Sequence, residues 1–154
     1  MAAIAATRAS SRLGVAQMLS VADAEANLAT VGRLVRKAAA GGCTFLCLPE
    51  AFDIVGTPGT GESSRAAQPL DGPLFQRYQA LARESNIWLS LGGFHERVAG
   101  EGKIANTHCI VDGRGALVAS YRKVHLFDVD VDGGFKEHAR RRLLFSCAPT
   151  NPLL

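Results

Sequence analysis

Three observations predict a single α/β domain. The chain is 154 residues long, one domain's worth, since a typical domain takes about 100 to 200 residues. Up to Glu50 it reads strand, helix, strand, a crossover that favours neighbouring parallel strands with functional groups at their carboxyl ends. Its 47% hydrophobic and 20% charged residues match ordinary globular usage and exclude a collagenous, low-complexity or wholly disordered chain.

Leu13–Leu19 (LGVAQML), apolar with β-branched support, reads as the first strand. Ser20 and Asp23 offer helix caps. From Ala24 to Ala40 the apolar Leu28, Val31, Leu34, Val35 and Ala38 recur at helical spacing, with Arg33, Arg36 and Lys37 on the other side or in the last turn. Gly41 and Gly42 end that helix. Thr44–Leu48 (TFLCL) is a short buried strand stopped by Pro49, which has no N–H for a central ladder position. Glu50 therefore stands at a strand's carboxyl end. Asp53–Asp71 carries Gly56, Pro58, Gly59, Gly61, Ser63, Ser64 and Pro69, a loop of a length that usually means function or disorder, and that suits a lid.

Pro73 opens a helix to about Asn86 with Leu74, Phe75, Tyr78, Leu81 and Ala82 on one face. Ile87–Phe94 (IWLSLGGF), Ile104–Val111 and Ala116–Tyr121 read as strands, the last two joined by the hairpin-like Asp112-Gly113-Arg114-Gly115. The order is β-α-β-loop-α-β-β-β, without an internal repeat. After Asp128 the pattern degrades. Val129–Gly134 is a turn-rich acidic patch, Lys136–Arg142 a basic run, and Leu143–Leu154 apolar without periodicity.

The formal charge is +3, and the run KEHARRR, with four basic residues and one acid, accounts for all of it. A charge so confined reads as a solvated helix or tail and argues against a nucleic-acid partner, which needs basic residues spread over a binding face. The four cysteines Cys43, Cys47, Cys109 and Cys147 form no CxxC pair and no zinc-finger spacing, so neither a structural metal nor a disulfide framework is expected. The opening MAAIAATRASSR has no apolar core of a secretory signal, which points to a reducing, cytoplasmic setting. Its Ala, Ser, Arg-rich and acid-free composition reads either as the remnant of a mitochondrial transit segment, flexible over residues 1–11, or as a frayed terminus. The apolar runs are too short for a membrane helix, so no membrane partner is expected.

Several motifs resolve to ordinary structure. GTPGTGE lacks the Lys-Ser/Thr of a phosphate-binding loop and reads as loop. Asp128–Asp132 (DVDVD) lacks the glycine and bidentate glutamate of a calcium loop and reads as a solvated turn. His95 and His108, near strand ends, read as satisfied structural histidines rather than ligands.

Two segments carry more. In Leu48-Pro49-Glu50-Ala51-Phe52 a carboxylate follows a buried strand with an aromatic beyond it, and burial there raises its pKa toward general-base use. In Tyr121-Arg122-Lys123-Val124-His125-Leu126-Phe127-Asp128 a lysine follows a strand between apolar and aromatic residues, where a part-buried ammonium stabilises an oxyanion. Taken singly, each is as consistent with an ordinary ion pair.

Through LPEAF and YRKVHLFD the sequence resembles the nitrilase superfamily of carbon–nitrogen hydrolases, most fully its Nit-type branch, which acts on deaminated glutathione. RLGVAQML, the Pro73 helix leading to IWLSLGGF, and Asn106-Thr107 follow in the family's order, so the resemblance covers residues 12–128, the N-terminal half of that domain. It implies an α-β-β-α sandwich, usually assembled as a homo-oligomer, that hydrolyses a small ω-amide to an acid and ammonia with no metal or organic cofactor. In that family's Glu-Lys-Cys mechanism, Glu50 matches the base and Lys123 the oxyanion-stabilising lysine. The family's nucleophile segment, cysteine followed by an aromatic, aspartate and Arg-Phe-Pro, is not found in the sequence. Cys147, in LFSCAPTN, does not match it, and Glu137 in KEHARRR does not match the family's further glutamate.

The expectation is therefore a partial α-β-β-α sandwich with a divergent tail over residues 129–154, a catalytically incomplete, truncated variant. Such a chain either is unstable or acts only as a binding or interfering subunit, without forming an acyl-enzyme. Losing the second layer would uncover an apolar sheet face, and the family's oligomeric assembly does not carry over.

Overall fold

The computed structural model describes residues 11–57, 59–100 and 104–124, together with the backbone of 128–130 and 136–138. Strand β1 (Leu13–Val15) leads to helix α1 (Ala24–Ala40) and returns as β2 (Phe45–Cys47). Helices α2 (Glu62–Ala66) and α3 (Pro73–Ser85) follow, then β3 (Trp88–Arg97), β4 (Ile104–Val111) and β5 (Leu117–Arg122). The strands form one mixed sheet in the order β1-β2-β3-β4-β5, parallel from β1 to β3 and antiparallel from β3 to β5.

Local chemistry accounts for the elements. Asp23 caps α1, its Oδ1 accepting from the backbone N–H of Glu25 and Ala26, which are otherwise orphaned in the first turn. Gly41 closes the helix, and Gly42 at φ +75° turns the chain back toward the sheet. Pro73 opens α3 at its first turn, and Asn86 in the left-handed region ends it. Strand β1 is shorter than the apolar run that predicts it, because β2 ends just before Leu48-Pro49 and leaves it no further ladder partner.

One sheet face is the core. Leu46, Leu89, Leu91, Phe94, Cys109 and Val111 pack against Leu28, Val31 and Val35 of α1 and Leu74, Phe75, Tyr78 and Ala82 of α3. Each fully buried side chain of this size contributes roughly 1.5 to 3 kcal/mol relative to exposure. Within the core, Phe52, Tyr78, Phe75 and Phe94 form an edge-to-face cluster, with ring centroids 5.0 Å apart for Phe52–Tyr78 and 5.3 Å for Phe75–Phe94. The Asp112 turn tucks against α3, its carboxylate accepting the N–H groups of Arg114 and Ala116.

The other face carries Leu13, Val15, Phe45, Trp88, Ile110 and Tyr121, and no layer of the described residues covers it. Val15 is 81% exposed and Trp88 43%. Among the described residues this face therefore remains an exposed apolar surface.

Three expectations change. The Asp53–Asp71 segment is not a continuous loop, because it contains α2. Arg97 of β3 holds that helix by donating to the carbonyls of Ala67 and Ser64, so an anchor replaces the expected lid. Asp128–Asp130 runs as a strand, β6, where a solvated turn was expected. Lys136–His138 runs as β7, antiparallel to β6, where a helix or tail was expected. Paired backbone hydrogen bonds override the charge pattern there. The rest of the basic run, the opening ten residues and Cys147 lie outside the described residues.

Candidate active site

The site assembles where β2 ends. Leu48 donates its N–H to Ser90 O at 2.8 Å and Ala51 donates to Gly93 O at 3.1 Å, so the turn carrying Glu50 is stitched to β3. Ala51 adopts φ 53°, a left-handed conformation that side chains other than glycine rarely take and that structures retain where surrounding bonds over-determine it. Beyond the turn, Phe52 is fully buried in the aromatic cluster. The buried Asp53 carboxylate accepts from both the backbone N–H and the ring Nδ1 of His95, at 2.9 Å each. Asn27 of α1 donates its amide to Asp53 O. Glu50 is thus fixed by the residues that follow it.

On β3 the register shifts between Leu91 and Phe94, and Gly92-Gly93 fills the irregularity. A Cβ on Gly92 would lie 2.5 Å from Leu48 O and 2.7 Å from Pro49 O. Only glycine lets the Glu50 turn approach the strand this closely.

Asn106 of β4 joins the two motifs. Its carbonyl accepts the Lys123 N–H at 2.8 Å, placing the lysine just past β5, and its side-chain Nδ2 donates to Glu50 Oε1. Lys123 Nζ donates to the same Glu50 oxygen at 2.8 Å. Glu50, Gly92, Asn106, His108, Tyr121 and Lys123 line a cavity of about 160 Å³ on the open side of the sheet. A larger groove of about 340 Å³ lies between α1 and α3, where Glu25 of α1 pairs with Arg77 of α3 across the two helices.

The electrostatics differ from the expectation of a buried, raised carboxyl. The Glu50 side chain is 54% exposed and that of Lys123 36%. The hydrogen bond from Lys123 holds the Glu50 carboxyl below its ordinary range against the opposing effect of burial, with further lowering by the Asn106 bond and the nearby positive charge. Glu50 is therefore an ionised acceptor at neutral pH. The site can accept a proton at Glu50 and donate to a carbonyl oxygen from Lys123 and Asn106.

On the core side, Arg122 makes two bonds to the buried Glu96, at 2.6 and 2.8 Å, and Thr107 adds a third at 2.7 Å, clamping the end of β5 that presents Lys123. The His95 ring bonds to Asp53, and the His108 ring bonds through Nε2 to Ser90 at the edge of the cavity. Cys43, Cys47 and Cys109 are free thiols, and among the described residues no cysteine lines the cavity. Burial pushes the Cys109 thiol up to about 12. No described group of three or more His, Cys, Asp or Glu side chains is arranged to hold a metal ion, and no described helix is long and apolar enough to cross a membrane.

Sequence reasoning singled out Glu50 and Lys123, and the structure brings them together across 73 positions of chain. It missed Asn106 as the link and Asp53–His95 as the brace. Paired glycines inside a strand are a legible sign of a bulge or close backbone approach, and Gly92-Gly93 carried that signal.

A family model described as carbon–nitrogen hydrolase matches residues 12–145. The chain is 44% identical over 126 residues to the deaminated glutathione amidase of Bos taurus, covering 79% of this chain and 38% of that protein. It is 42% identical over 125 residues to the enzyme of the same name from Dictyostelium discoideum, covering 78% and 43%. The chain thus spans well under half the length of these curated relatives. Among solved structures, the NitFhit protein of Caenorhabditis elegans superposes with a TM-score of 0.70 at 35% identity, covering 81% of this chain and 30% of that one. A double mutant of an amidase from Nesterenkonia, solved with acrylamide, superposes with a TM-score of 0.67 at 22% identity, covering 77% and 45%, a likeness of fold.

Proposed function

The chain belongs to the carbon–nitrogen hydrolase family, and from that membership we propose that its Glu50–Lys123 cavity is the amide-binding part of an amidase centre for small ω-amides of the deaminated-glutathione type. One observation carries the reading. A single Glu50 oxygen accepts from both the Lys123 ammonium and the Asn106 carboxamide, at the mouth of a cavity sized for an amide end.

In the complete reaction a thiol gives its proton to Glu50 and the sulfur bonds to the amide carbon. The carbonyl electron pair moves onto oxygen, where Lys123 stabilises it. The C–N bond then breaks, ammonia leaves with the proton held by Glu50, and water hydrolyses the thioester to the acid. Glu50 acts as base and then acid, and Lys123 as the oxyanion donor. No thiol among the described residues lines the cavity, and the sequence holds no match to the family's nucleophile segment. The 154-residue chain accordingly binds and polarises an amide without forming the acyl-enzyme.

Ammonia release from deaminated glutathione, measured beside NMR detection of amide binding, tests both halves. Binding lost in Lys123→Met, with no turnover, is the expected result. Turnover abolished by Cys147→Ala would show that the tail supplies the thiol and would overturn the incomplete reading. The absence of any amide binding would overturn the site itself. A second reading, a binding or interfering subunit, is favoured by the uncovered apolar sheet face. Sedimentation of the chain with and without a full-length relative tests it, and two independently sedimenting species would reject it.

A further inference from the structure

The amide chemistry uses Glu50, Lys123 and Asn106 and leaves His108 and Tyr121 of the cavity lining without a role. Beside the Glu50–Lys123–Asn106 cluster, on the same sheet face, stand His108 and Tyr121, cross-strand partners on β4 and β5. His108 Nε2 lies 2.9 Å from the hydroxyl of Ser90, a buried residue of β3. One ring nitrogen is therefore committed to the sheet, and Nδ1 is the nitrogen left to meet a ligand. Whether the Ser90 hydroxyl donates or accepts sets the tautomer of the neutral ring, while the protonated ring donates from both nitrogens.

The charge inventory gives this ring its consequence. Lining the cavity with it are Glu50 from the turn after β2 and Tyr121 and Lys123 from β5 and its end, while Cys47 lies beyond Ser90 on β2 and outside the lining. His95 lies further along β3 but is engaged by the Asp53 carboxylate, and the Glu96–Arg122 pair lies on the opposite sheet face. Glu50 and Lys123 cancel each other inside the cavity. Among the described lining residues, His108 is the remaining group that can carry a positive charge, as an imidazolium. Amide hydrolysis converts a neutral carboxamide into a carboxylate, so this charge distinguishes product from substrate.

Resting on the amidase reading, we propose that His108 is a specificity-determining residue: anchored through Nε2 to Ser90, it meets the bound ligand through Nδ1 and, when protonated, favours the carboxylate product over the carboxamide substrate.

The test uses the full 154-residue chain, with butyramide and butyrate as probes and NMR at pH 6 and pH 8. The butyrate-to-butyramide affinity ratio should rise about three- to fivefold on acidification, as expected for one added charge in a part-exposed site. It should stay constant in His108→Gln. In the unsubstituted chain the His108 ring titration should move upward with butyrate and stay put with butyramide, a readout independent of how the variant folds. A ratio that ignores pH while both probes bind would overturn this inference alone, as would pH dependence retained in His108→Gln. If neither probe perturbs Glu50 and Lys123, the amidase reading falls and this inference with it.

Discussion

Replacing the two glycines of β3 one at a time separates the fold from the site. A Cβ at Gly92 would sit 2.5 Å from Leu48 O and 2.7 Å from Pro49 O. These are backbone atoms of the turn held by Leu48 N–H to Ser90 O and Ala51 N–H to Gly93 O. Restoring ordinary contact near 3.4 Å requires the turn to retreat by about 0.9 Å, enough to break one of those bonds. Overpacking costs about 1 to 3 kcal/mol and a lost hydrogen bond about 1 more, so Gly92→Ala should destabilise by about 2 to 4 kcal/mol.

At Gly93 the same methyl would meet Asn106 Oδ1 at 2.5 Å and Glu50 Cγ at 3.1 Å, atoms of side chains that can swing away. Gly93→Ala should lose under about 1 kcal/mol, because a displaced exposed polar contact costs little. Its effect falls on Glu50 instead. Without the Asn106 donor, the Glu50 carboxyl should titrate closer to its ordinary value. Urea unfolding followed by the fluorescence of Trp88 gives the stability, and carboxylate ¹³C NMR gives the titration. Equal stability losses in the two variants, with Glu50 unmoved in Gly93→Ala, would refute the argument.

Four further outcomes follow from the same geometry. Burial raises the Glu96 carboxyl, but bonds from Arg122 and Thr107 outweigh it and leave the net shift downward. A lowered folded pKa contributes stability above the ordinary carboxylate range that is lost as pH falls through the folded value. Glu96→Gln should therefore cost about 2 to 3 kcal/mol at neutral pH and flatten the acid limb of the stability curve, seen by urea unfolding at several pH values. The Tyr78 hydroxyl is buried with no hydrogen-bond partner among the described residues, so Tyr78→Phe should be neutral or stabilising by up to about 1 to 2 kcal/mol in the same assay. Cys109, with its thiol raised to about 12 by burial, should resist iodoacetamide at pH 8 in the folded chain and react on unfolding, as peptide mapping would show. Val15→Thr on the open face should change stability by less than about 0.5 kcal/mol and lower binding of the hydrophobic dye ANS.

Much of this protein is legible in its residues alone because the signals are local. Helix α1 runs over Ala24–Ala40 as its apolar spacing and the Asp23 cap require, Pro73 starts α3, and the Asp112 turn joins β4 to β5. Glu50 and Lys123 stood out by motif. Tertiary structure alone decided what surrounds them. The register of β3, β4 and β5 brings Lys123 to Glu50, and the Gly92-Gly93 irregularity lets the Glu50 turn close onto the sheet. That arrangement leaves the carboxyl half exposed with a lowered pKa, where local reasoning expected burial and a raised one. Helix α2 was also hidden, since Arg97 of a distant strand holds it, as was the β6–β7 pair, since each of its strands depends on the other for its ladder. Periodicity, caps and turn residues act over a few positions, whereas a pKa is set by every charge and donor that folding brings near.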